Sequence, residues 1–252
     1  LGQTGIIIQA RMGATRLPNK MMLPFYENEG IFELLVSRLL SAGLQMPIIV
    51  ATTNSEQDNV LATVANDRGL SVYRGSEHNV LERFINAAKQ FSVDRIIRIC
   101  ADNPLLDISA LQHQITAFNN SDVDYWCYCT SESLPSIKTS YGFYTEGVTL
   151  DALEKVAEMT TEKLYIEHVT NYIYTHDTNF TIHKEEIPKT VSTNKSIRLT
   201  IDTPKDHELI KNIYTKLIEE HIVLEQEHIV AFIEKHPKWM EAMTTEMRNN
   251  IK

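Results

Sequence analysis

The sequence predicts an α/β protein with a mostly parallel sheet flanked by helices, and three observations carry that prediction. Short runs rich in β-branched residues recur as Ile6-Ile7-Ile8, Ile48-Ile49-Val50-Ala51 and Arg95-Ile96-Ile97-Arg98-Ile99-Cys100-Ala101, the mark of strands buried on both faces. Stretches with helical spacing separate them, and Gly43 and Gly69 stop the first two, since glycine readily takes the left-handed conformation that ends a helix. The order strand, helix, strand, helix, strand is that of right-handed βαβ crossovers in a Rossmann-like sheet.

Each element has its own local reason. Residues 31–40 carry Ile31, Leu34, Leu35 and Leu39 on one helical face. Ser55 with Asp58 reads as the start of a helix reaching Arg68, and a short strand follows over 71–73. A helix over 80–91 leads to the strand that ends at Asp102. Asp107 is placed to cap a helix over 108–118. That leaves Asp102 free of capping duty, and Pro104 holds Asn103 out of helical geometry. Another strand is expected over 123–129.

The alternation is lost over 130–195. A strand over 141–148, helices over 150–159 and 162–175 and a strand over 180–187 are expected there, forming a lobe beside the sheet that covers substrate or meets another subunit. Order returns with a strand over 197–201 ending at Asp202. Thr203, Pro204 and Asp206 then make a strong helix start, so Asp202 is not needed as a cap either. One domain is expected over 4–222, with the inserted lobe at about 130–195, followed by a C-terminal helix and tail over 223–252.

Composition narrows the function. The 252 residues hold 24 Lys+Arg against 33 Asp+Glu, a net charge of −9, which argues against general nucleic-acid binding. No apolar run approaches the roughly 20 residues needed to span a bilayer, and no signal peptide opens the chain, so a cytoplasmic location without membrane contact is expected. Three cysteines fit reduced thiols better than a disulfide framework. The chain starts without methionine, so Leu1-Gly2 reads as a cloning remnant, or the chain as one piece of a longer polypeptide.

Against that acidic background stands GIIIQARMGATRLPNK, Gly5 to Lys20. Arg11, Arg16 and Lys20 follow the first strand with Gly13 and Pro18 among them, and no acid occurs from Leu1 to Tyr26. Such a loop suits an anion: glycine admits backbone N–H groups to phosphate oxygens, Arg offers a fork of donors and Lys a point charge. It has neither the P-loop nor the dinucleotide-fold glycine spacing, so side-chain charge must do much of the binding. The alternative is a solvated basic loop. Asp102 and Asp202 each follow a predicted strand, where the carboxyl edge of a parallel sheet opens onto a ligand crevice. Taken singly, each Asp is as readily a turn residue. As a pair facing a cationic loop they suit Mg2+ bound with phosphates.

These residues resemble a known family. IIIQARMGATRLPNK is similar to the opening of the cytidylyltransferases that activate acidic sugars, most closely the SpsF-type spore-coat polysaccharide branch with its QARMGSTRLPGK pattern. The resemblance continues through YRGSEHNVLERF, ADNPLLD, EHVTNYIY and RLTIDTPKD. It implies a nucleotide-diphospho-sugar transferase fold and transfer of CMP from CTP to an anionic acceptor with release of pyrophosphate, in cell-surface polysaccharide biosynthesis. The CTP would lie along Ala10, Arg11, Gly13, Arg16, Lys20, Arg74 and Asp102, with Arg74 at the cytosine end. Lys20, Arg16, Asp102 and Asp202 would serve catalysis, and the two acids would hold Mg2+. Tyr144 and Glu146 would lie on the acceptor side, and Tyr144 stands where the branch usually has Asp. Ala14 and Asn19 replace the usual Ser and Gly.

Two other readings compete: a glycosyltransferase, whose D-x-D signature is met only by Asp122-Val123-Asp124, and a catalytically silent nucleotide-binding homologue. The remaining features read as structural. Cys127 and Cys129 share one strand face, His168 is a hydrogen-bonded helix histidine, and His221, His228 and His236 lack metal-ligand spacing. Met240, Met243 and Met247 pack against a neighbour; a second subunit is one candidate, and a homodimer is expected.

Overall fold

In the computed structural model, which describes residues 2–250, seven strands form one sheet. They are β1 (Thr4–Gln9), β2 (Ile48–Thr53), β3 (Ser71–Gly75), β4 (Arg95–Cys100), β5 (Tyr125–Cys129), β6 (Glu146–Thr149) and β7 (Ile182–Glu186). Their spatial order is β3-β2-β1-β4-β6-β5-β7, and β6 runs antiparallel to both its neighbours while the other pairs are parallel. The first helices are α1 (Ile31–Ser41), α2 (Asn59–Asp67), α3 (Val80–Gln90), α4 (Ile108–Asn119) and α5 (Leu150–Met159). Three short ones follow, α6 (Lys163–Glu167), α7 (Asn171–Thr175) and α8 (Lys189–Ser192). The last are α9 (Pro204–Glu219), α10 (Gln226–Glu234) and α11 (Pro237–Asn249).

The period-two alternation of strands divides the core between two faces. Ile6 and Ile8 of β1 join a core built with α1, α4, α9 and α10, while Ile7 joins the opposite core under α3 and α5. All three are fully buried, and burying an isoleucine contributes about 1.5–3 kcal/mol. That is why an uninterrupted β-branched run sits at the middle of the sheet.

The strand order positions the site. The chain adds β2 and β3 on one side of β1 and β4 on the other, so β1 and β4 flank the switch point where a doubly wound sheet opens a crevice. Gln9 pairs with Cys100, and the Ala101 amide donates to the Gln9 carbonyl at 3.1 Å. The segments leaving β1 and β4 therefore start level and side by side.

Several expectations are corrected. Ile197, Arg198, Leu199 and Ile201 are buried, but residues 197–201 form no strand: Leu199 N–H donates to Ser140 O at 2.8 Å and Ile201 N–H to Asp102 O at 3.0 Å, contacts too scattered for a ladder. The block 130–195 is not wholly a lobe beside the sheet. It inserts β6 between β4 and β5 and adds β7 at the edge, while α7 packs into the core under α3 and α5. The helix expected over 162–175 breaks at His168 to Thr170 into α6 and α7. The strand expected over 141–148 is confined to β6, because Gly142 turns the chain with φ +70. Met243 is fully buried in the chain's own core with α9 and α10, so the methionine face gives no support to a second subunit. The tail over 237–249 is a helix sharing the main core.

Candidate active site

The loop between β1 and α1 is held from below. Met12 O accepts from Ala14 N–H at 2.9 Å and Asn19 N–H at 3.2 Å, folding the loop on itself. Asn19 sits in the left-handed region, φ 59, which explains why glycine suits this place and why Asn serves. The Met12 N–H donates at 2.7 Å to Asp58 Oδ1. Asp58 is 2% exposed, and its second oxygen accepts from Thr53 Oγ1. Asp58 stands at the helix start read from the sequence, directly before α2, but its side chain caps nothing and anchors the basic loop. The sequence offered one signal: an acid just past a buried strand, close to a loop with none of its own.

Above this anchor the cations meet carboxylates from distant segments. Lys20, 7% exposed, donates from Nζ to Asp102 Oδ2 at 3.0 Å and to Ile201 O at 2.7 Å. The same nitrogen lies 3.9 Å from Asp202 Oδ1. Arg16 reaches Asp202 at 3.3 Å, and Arg11 reaches Glu167 of α6 at 3.8 Å. The structure thus brings Lys20, Arg16, Asp102 and Asp202 into one cluster. Asp202 arrives there although no strand precedes it, because the Ile201 amide docks onto the Asp102 carbonyl.

A second layer holds Asp202. Arg198 donates to Asp206 through Nε at 2.8 Å and Nη2 at 2.7 Å, a two-pronged pair that fixes both groups. Its Nη2 also reaches Asp202 at 3.3 Å. Asp206 accepts the N–H groups of Asp202 and Thr203 at 3.0 and 2.9 Å, and Thr203 caps α9 as its sequence predicts.

Other predicted residues fall elsewhere. Ala10 is buried where β1 ends. Gly13 approaches the turn after β3: a Cβ there would lie 3.2 Å from Glu77 Oε1. Arg74, on β3, ties Thr53 O, Asn59 Oδ1 and Ser55 O at 2.8, 2.6 and 2.7 Å, bracing the segment after β2. Tyr144 and Glu146 are not on the open side of the site. Tyr144 is buried against Tyr128 and its hydroxyl donates to Gln226 of α10, a core position created where the chain turns into β6. Glu146, 2% exposed, pairs with Arg98 at 2.5 Å and accepts from Tyr125 and Thr170, a closed buried network. Arg98 also donates to Gln9 at 3.1 Å, so Glu146 acts on the floor of the crevice through Arg98. Burial pushes the Cys100 thiol up to about 11, which keeps it protonated and unreactive at neutral pH. Asp124 accepts from Thr181 N–H and Oγ1 at 2.8 and 2.9 Å just before β5, at the sheet edge opposite the cluster. The D-x-D reading has no place in this site.

A sequence model described as cytidylyltransferase matches residues 5–236. The chain belongs to the cytidylyltransferase family. An uncharacterized protein of Methanocaldococcus jannaschii is 37% identical over 232 residues, 92% of this chain and 90% of that one. The spore coat polysaccharide biosynthesis protein SpsF of Bacillus subtilis is 33% identical over 236 residues, 92% of this chain and 94% of its own. Among solved structures, a cytidylyltransferase from Leptospira borgpetersenii serovar Hardjo-bovis superposes with a TM-score of 0.81 at 29% identity, covering 95% of this chain and 97% of that one.

Proposed function

We propose that this cytidylyltransferase transfers CMP from CTP to an acidic sugar or another anionic acceptor, releasing pyrophosphate, in the cytoplasm and in cell-surface polysaccharide synthesis. One observation carries the reading: the Lys20 ammonium lies within 4 Å of carboxylate oxygens of both Asp102 and Asp202, at the switch point of a cytidylyltransferase sheet. The printed name of the Bacillus subtilis relative supports the polysaccharide context.

Among the described residues no group of three or more His, Cys, Asp or Glu is arranged to hold a metal. Two carboxylates nevertheless suit Mg2+, which takes one or two protein oxygens and fills its remaining positions with phosphate and water. Asp102 and Asp202 would hold it, and when bound it neutralises phosphate charge and lowers the pKa of an oxygen nucleophile. The protein's share is positioning and charge. In the structure Arg11, Arg16 and Lys20 are answered by Glu167, Asp202 and Asp102. With the triphosphate present, the three cations turn from carboxylate to phosphate oxygens. The acceptor hydroxyl gives up its proton to water as its oxygen bonds to the α-phosphorus and the bridging bond to the β-phosphate breaks, and pyrophosphate leaves with that electron pair. Lys20 and Arg16 stabilise the charge it gains.

The test is pyrophosphate release from CTP and Mg2+ with a panel of acidic sugars. Asp102→Asn is expected to lower kcat by about 10²–10³, the usual cost of removing one charge-stabilising group. A rate in Asp102→Asn equal to that of the unaltered protein excludes the assignment.

A further inference from the structure

We propose that α11 is a working part of the nucleotide site, with Glu246 and Asn250 as positioning residues that hold the Asp202 turn and Arg16. The inference rests on the reading of Arg16 and Asp202 given above. The family match ends at residue 236 and α11 begins at Pro237, so the match assigns this helix no role.

Glu246 is 7% exposed, and a carboxylate is seldom so buried unless donors satisfy its oxygens. Its Oε2 accepts from Thr203 Oγ1 at 3.1 Å, and its Oε1 lies 3.3 Å from Lys205 Nζ. A threonine hydroxyl has one hydrogen. Because Thr203 gives that hydrogen to Glu246, its lone pair is left facing the Asp206 N–H, which donates at 3.1 Å. Asp206 in turn accepts the amide of Asp202. Glu246 therefore acts on the second acid through the rotor of one hydroxyl and the turn that it fixes.

Asn250, at the end of the same helix, acts on the cation. Its Nδ2 donates to Glu246 O at 2.8 Å, which orients the amide. Its Oδ1 accepts from Arg16 Nη1 at 3.0 Å, while Arg16 Nη2 meets Asp202 at 3.3 Å. One helix end thus touches both the guanidinium and the turn carrying the acid, closing a ring from Glu246 through Thr203, Asp202, Arg16 and Asn250. Space-filling requires Met243, which is fully buried. It does not require a buried carboxylate and an oriented amide about one and two turns further on.

The experiment is calorimetric titration of the full chain with CTP and Mg2+, which needs no acceptor. Glu246→Ala and Asn250→Ala are each expected to raise Kd about three- to tenfold, the worth of one hydrogen bond. Glu246→Gln, which keeps an acceptor for Thr203, is expected to recover most of the loss. In an Arg16→Ala background Asn250→Ala is expected to have no further effect, an outcome that general loosening of the helix would not produce. Unaltered affinity in Glu246→Ala and Asn250→Ala overturns the proposal, as does an Asn250→Ala effect of equal size with and without Arg16. If the unaltered protein does not bind CTP with Mg2+, the functional reading itself fails. If it binds and the variants match it, only the role of α11 fails.

Discussion

Lys20 and Asp58 show how single side chains build this site from opposite directions. Lys20 is a buried ammonium whose cost of desolvation is offset by Asp102 and the Ile201 carbonyl. Asp58 is a buried acid that accepts from the Met12 amide and the Thr53 hydroxyl. Asp58→Ala leaves both donors unsatisfied and is expected to cost about 1–3 kcal/mol for a buried group stripped of its partner. Asp58→Asn, which keeps one acceptor oxygen, is expected to cost less; urea unfolding measures both. His207 supplies a pH test. Burial, and then the charge of Lys211, lower its pKa below the ordinary 6.5, against a hydrogen bond to Leu23 backbone. The unfolded chain therefore takes up this proton at higher pH than the fold does. The stability tied to it is present above the ordinary histidine range and is lost as pH falls below it. Unfolding at pH 7 and at pH 5 should show a larger loss in the unaltered protein than in His207→Gln.

The elements divide by whether their signals are local. The start of α9 is legible as Thr203-Pro204-Asp206 because each group acts within one turn, and the structure has the cap and the proline where the spacing puts them. The left-handed glycines after α1 and α2 are legible for the same reason. Segment 197–201 is not, since an apolar run looks the same whether it joins a ladder or crosses beside one. What keeps it close is Gly142, φ +70, where a Cβ would meet Leu199 O at 2.8 Å. Gly142→Ala combines left-handed strain of about 1–2 kcal/mol with a backbone clash. A loss of at least about 2 kcal/mol in denaturant unfolding is expected, with weaker CTP binding because this segment carries Asp202.

At the scale of the whole molecule, the sheet and the C-terminal helices share one core. Ile229, Val230, Phe232 and Ile233 of α10 and Met243 of α11 are buried with Ile6 and Ile8 of β1. A chain cut after residue 222, at the boundary the sequence suggests, is therefore expected to lose cooperative folding, read as loss of a sharp thermal transition in circular dichroism. A fragment 1–222 that melts as sharply as the full chain would contradict this. In the sequence the stretch after residue 222 shows a helical pattern and then a polar tail, and periodicity does not say which surface a helix covers.

By itself the sequence determined the alternation of buried strands and helices, the caps, the acid-free cationic loop and the two acids that cap nothing. Those properties depend on neighbours a few residues apart, or on the charge of one segment. Tertiary structure decided the rest: that Asp58 anchors the loop, that Tyr144 and Glu146 turn inward, and that Asp202 reaches Lys20 without a strand to carry it. Each of these depends on which distant backbone passes within 3 Å of which side chain, and that proximity is set by packing the two faces of the sheet.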